Sequence, residues 1–126
     1  MPVKVMFSGS FSNSLTSLLE AKIKYCQEKE FDSTPIIVSL KTKFIEINKQ
    51  ISNFPFEGKA IGDLHFHRKL IFKDKGSDYS LIYQIFPMTA IESKEVEYIG
   101  LSDIFSNQTN WAEKIQKVLP VDNFLE

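Results

Sequence analysis

Hydrophobic positions change period three times along the chain. Val3 to Phe7 alternates around Lys4 and predicts a short strand. From Ser8 onward the period becomes helical. Phe11, Leu15, Leu18, Leu19, Ile23 and Cys26 fall on one stripe, with Ser8 or Ser10 placed to cap it. A second stripe, Ile37, Leu40, Phe44, Ile47 and Ile51, follows Ser33, Thr34 and Pro35 and stops at Asn53 to Pro55. The two stripes predict a helical hairpin.

From Phe56 the period is two. Residues 61–73, 79–86 and 95–101 predict three strands, joined by "KDKGSD" and the longer "PMTAIESK". Connections this short demand antiparallel pairing. "SNQTNWAEKIQKVLP" then predicts a short final helix with Trp111, Ile115 and Val118 on one side. The order strand, two helices, three strands, helix predicts a single α+β domain over residues 1–126, its helices packed on one sheet face.

Composition changes this picture little. Hydrophobic residues make up 43% of the 126 and charged residues 25%, and the net charge is −1, so no whole-molecule field draws the chain to nucleic acid or membrane. Attraction to an anion must come from a local patch. Cys26 is the single cysteine and reads as a buried thiol. The opening residues carry no secretory pattern, and no apolar run approaches the ~18 residues of a membrane span. The expectation is a cytoplasmic protein without a cofactor.

The local patch is "GDLHFHRKLIFKD", residues 62–74. If this stretch is extended, Leu64, Phe66, Leu70 and Phe72 share one face, interrupted by Arg68. His65, His67, Lys69, Ile71 and Lys73 share the other. Four uses of that second face compete. It can be a solvated outer face. It can hold a metal, with His65 and His67 joined by Asp63 or Asp103. It can bind anions, through Arg68, Lys69 and Lys73, with Tyr79, Tyr83 or Tyr98 available for stacking. It can also act on RNA, where a histidine takes the proton of the 2′-hydroxyl, another acts as acid, and cations hold the phosphate. On that last reading His65, His67 and Lys73 are catalytic, while Arg68, Lys69 and Lys75 bind RNA phosphates.

The element order and three segments, "VKVMFSGSFSNSLTSL", "HRKLIFKDKGSDYSLIYQI" and "EVEYIGLSDIF", resemble the RelE/ParE superfamily of bacterial toxins. The resemblance implies the family's strand, helical hairpin, antiparallel meander and C-terminal helix. It also implies ribosome-dependent mRNA cleavage, with a cognate antitoxin as partner. Lys73 then matches a catalytic lysine before the turn, and Tyr79 and Tyr83 match structural tyrosines. Ser80 stands where the family usually has arginine, and the last strand exits without basic residues. Either the chemistry has moved to His65, His67, Arg68 and Lys69, or the domain is a non-catalytic interaction module or a gyrase-directed toxin of the ParE kind.

Overall fold

The change of period at residue 56 divides the computed structural model in the same place. It describes residues 2–62, 64–106 and 124–125, with backbone alone at 64, 65, 91, 124 and 125. Strand β1 (Lys4–Ser8) leads directly into helix α1 (Gly9–Glu28), and α2 (Thr34–Asn53) follows. Then come β2 (Lys59–Ile61), β3 (Leu64–Asp74), β4 (Ser77–Phe86), a one-turn helix α3 (Ala90–Ser93), β5 (Tyr98–Ser106) and β6 (Phe124–Leu125). The α+β class and the antiparallel β3–β4–β5 meander agree with the sequence. The final helix with Trp111 lies outside the described residues.

The described strands form one sheet in the order β2-β3-β4-β5-β1-β6. β1 runs parallel to β5, with Lys4 opposite Tyr98 and Phe7 opposite Leu101. Two strands were not expected. The predicted strand from Ile61 breaks at Gly62, where the backbone turns at φ 55° and sends Lys59–Ile61 back along β3 as β2. β6 adds to the free side of β1.

Both helices cover one sheet face. Their stripes work as predicted at Phe11, Leu40, Ile47 and Ile51, which are buried with Phe72, Tyr79, Leu81, Tyr83, Ile85, Ile99, Leu101 and Ile104. Each fully buried aliphatic side chain contributes about 1.5–3 kcal/mol. Ile23, placed on the first stripe by spacing, is 37% exposed, while Cys26 one turn further on is buried. Ser8 is the cap of α1: its hydroxyl accepts from the Phe11 N–H at 3.0 Å and donates to the Ser102 carbonyl at 2.9 Å, tying the helix start to β5. No described helix is long and apolar enough to cross a membrane.

Candidate functional site

β3 and β4 meet at a two-residue turn, Lys75–Gly76, whose residues take φ 50° and 79°. Positive φ at both central positions is the turn geometry that matches the twist of an antiparallel hairpin. The register then fixes which side chains share a face, since directly opposed residues project together. Arg68 opposes Tyr83, Leu70 opposes Leu81 and Phe72 opposes Tyr79, all toward the helices. His67 opposes Gln84, Lys69 opposes Ile82, Ile71 opposes Ser80 and Lys73 opposes Asp78 on the other side.

That other side is not the solvated basic face anticipated from alternation. Ser80 and Ile82 are fully buried, His67 is 1% exposed, and Gln84, Ser102 and Asp103 are buried beside them. Ile82 and Phe105 form a second small hydrophobic cluster there, with Ile61 packed against it. Exposure returns at the β2 edge, where Lys59 opposes Lys69, and toward the β3–β4 turn. Ile71 is half exposed, the Lys73 side chain is 79% exposed, and Lys75 is exposed.

His67 sits at the sealed end. Neither ring nitrogen has a hydrogen-bond partner among the described residues, and the ring lies 4.4 Å from that of Phe66. Burial pushes its pKa below the ordinary histidine value, with Gln84 offsetting part of the effect, so the imidazole is neutral at pH 7. Six residues separate His67 from Lys73, roughly 20 Å along a strand rising about 3.3 Å per residue. An extended lysine spans only part of that gap. The expected pairing of His67 with Lys73 on one phosphate therefore departs from the geometry on two counts, access and distance. The His65 side chain lies outside the described residues.

Arg68 is engaged on the helix side. Its guanidinium donates to the Gly58 carbonyl at 2.8 Å and lies 5.2 Å from the centre of the Phe56 ring. It braces the loop that enters β2, and its expected part in phosphate binding finds no support in this position. Lys69 is half buried, opposite Ile82. The predicted cations that project freely are thus Lys73 and Lys75. Lys73 approaches Asp78 at 3.7 Å, an exposed pair of little energetic weight that leaves the ammonium accessible.

The metal alternative finds no donor set among the described residues, where no three His, Cys, Asp or Glu side chains gather. Asp103, offered as a third ligand, instead accepts from the Ser10 hydroxyl at 2.9 Å and from the Ile104 N–H at 2.8 Å.

One feature escaped the sequence: a cleft of about 900 Å³ between α1 and the β4–β5 region, with Lys22, Lys75 and Tyr79 in its wall. Its only trace in the chain is the recurrence of Ser10, Ser14 and Ser17 at helical spacing on α1. No protein-family model matches this chain, and no match was found among curated proteins or among solved structures.

Proposed function

We propose that this chain is a toxin-like domain of the RelE/ParE kind that binds RNA phosphates through the end of its β3–β4 hairpin, as an interaction module rather than a histidine-driven nuclease. The observation that carries this reading is the contrast between Lys73, 79% exposed beside the turn, and His67, 1% exposed at the far end of the same strand. Cations on a projecting hairpin can follow a phosphate backbone without specifying sequence. The order β1, α1, α2 and then the β3–β4–β5 meander supports the family resemblance, with β2 and β6 as additions to it. The cytoplasm and a cognate antitoxin that shields the hairpin belong to the same proposal.

Ribosome-dependent mRNA cleavage is the second reading. It is favoured by Lys73 alone, which is accessible in the strand before the turn, where the resemblance places a catalytic lysine. One experiment separates the two. The full chain and its Lys73→Ala/Lys75→Asn and His67→Gln variants are expressed by induction, and mRNA ends are mapped. The purified proteins are titrated with a single-stranded RNA oligomer. The module reading expects RNA binding that the lysine variant loses by about tenfold or more, with no new mRNA ends. New ends that vanish in either variant would establish cleavage instead. Undiminished RNA binding by the lysine variant would remove the hairpin from the site.

A further inference from the structure

Strand β3 outruns the strand beside it. β2 pairs with it only as far as Lys59 opposite Lys69, so residues 71–74 have β4 on one side and no described strand on the other. The cause lies in the chain before β2. The Tyr83 hydroxyl accepts from the Gly58 N–H and donates to the Pro55 carbonyl, and Arg68 donates to the Gly58 carbonyl. These bonds draw residues 55–58 toward the helix face, off the line of the sheet edge.

The turn sets which backbone groups face that edge. Across a two-residue turn the closing pair, Asp74 and Ser77, is hydrogen-bonded, and bonded pairs alternate with unbonded ones. Phe72 is therefore bonded to Tyr79, while Ile71 and Lys73 turn their N–H and C=O groups outward. The Lys69 carbonyl, in the same phase, lies on that side, next to Gly58. The side chains at 71 and 73 share the outer face: Ile71 is 52% exposed, and Lys73 is exposed beside it. Lys59 and Lys69 continue that face toward β2.

Open strand groups are matched by another extended chain, which supplies the complementary ladder. A second copy of this protein would bring the same lysines to an edge already lined by Lys59, Lys69 and Lys73, and like charges across a ladder destabilise it. Charge favours an acidic occupant. We propose that the Ile71 and Lys73 edge of β3 docks an extended, acidic segment of a partner protein. An apolar and an acidic residue two positions apart share one face of that segment. The apolar one packs on Ile71, the carboxylate meets Lys73, and ladder bonds hold the backbone. Because Lys73 serves both ligands, the docked segment excludes RNA from the hairpin; that exclusion rests on the hairpin reading, while the docking does not.

The test is fluorescence anisotropy of the full chain with a labelled peptide carrying glutamate, threonine, valine, threonine and glutamate in that order. Its fully N-methylated form and a form with lysine for glutamate are run beside it. The expected result is saturable binding of the acidic peptide, which N-methylation and the lysine exchange each weaken about tenfold or more. Ile71→Pro should weaken it as much, since proline removes an outward N–H and spares the β4 ladder, while RNA binding stays unchanged. The N-methylated peptide makes the same comparison on the unaltered chain. Absence of saturable binding by the acidic peptide overturns the proposal, as does binding that N-methylation leaves intact. Self-association of the free chain that Ile71→Pro abolishes would give the edge to a second copy and overturn it too. Acidic-peptide binding by a chain that does not bind RNA would overturn the hairpin reading and leave the docking edge standing.

Discussion

His67 and Gln84 face each other across the β3–β4 ladder, both buried, and Gln84 spends its amide on the Ser102 hydroxyl at 3.0 Å. The imidazole is left in a buried site that disfavours its charged form. Its folded pKa lies below the 6.5 of a free histidine, so the unfolded chain binds a proton first as pH drops. The stabilising contribution is therefore complete above pH 6.5 and lost as pH falls through the folded value. Urea unfolding between pH 7.5 and 5 (~2.5 units spanning the histidine range) should show this decline, and His67→Gln should flatten it.

Gly58 is held against the Tyr83 side chain. The Tyr83 hydroxyl accepts from the Gly58 N–H at 2.9 Å and donates to the Pro55 carbonyl at 2.8 Å. A Cβ at residue 58 would stand 2.6 Å from that hydroxyl and 3.0 Å from the Lys69 carbonyl. Gly58→Ala should cost about 1–3 kcal/mol through overpacking. Tyr83→Phe should cost about 1–3 kcal/mol through the orphaned Gly58 and Pro55 groups. The double variant should cost less than the two together, because removing the oxygen takes away the closest of the contacts a Cβ would meet. A denaturant-based double-mutant cycle measures the coupling.

Ser8→Ala removes both the cap of α1 and the tie to Ser102. The expected loss is about 1–3 kcal/mol, the sum of a cap and one buried hydrogen bond. Ser8→Thr, which keeps the hydroxyl, should recover most of it in the same chemical unfolding assay.

RNA binding by the hairpin predicts a specific salt dependence. Each phosphate contact on a single strand adds about 0.7 to the slope of log affinity against log salt. Lys73→Ala with Lys75→Asn should lower that slope by roughly 1.4, since two contacts are lost. Asparagine is chosen at 75 because it accepts the φ of 50° found there, so the turn survives while the charge goes. Anisotropy titrations across a salt series give the slope.

Much of the fold was legible because single-face periodicity is a strong signal. Leu70 and Phe72 against Lys69 and Lys73 divide β3 as the structure does, and the Leu40 to Ile51 stripe fixes the buried side of α2. What failed was the inference from polarity to exposure. His67, Ser80, Gln84, Ser102 and Asp103 look like a solvated face, yet all are buried. Ile82 between Ser80 and Gln84, and Phe105 after Asp103, were the apolar traces of that covering. The strand break at Gly62 was missed although the sequence marks it: Ile61 is out of phase with Leu64 and Phe66, and Gly62–Asp63 is a turn-forming pair. The separation of His67 from Lys73, by contrast, was available from strand rise alone. The Tyr79 cleft could not be read, since it depends on α1 standing off from β4 at that point.

The parallel pairing of β1 with β5 joins residues that are 94 positions apart, as the Ser8–Ser102 bond measures. During synthesis β1 is made long before β5, its long neighbour among the described strands, which follows α1, α2 and the hairpin. Closure of the sheet is thus postponed until nearly the whole described chain is available, and contacts this distant in sequence slow a domain's folding. Until then Val5 and Phe7, which pack against the core in the finished sheet, lack the β5 side of their cover.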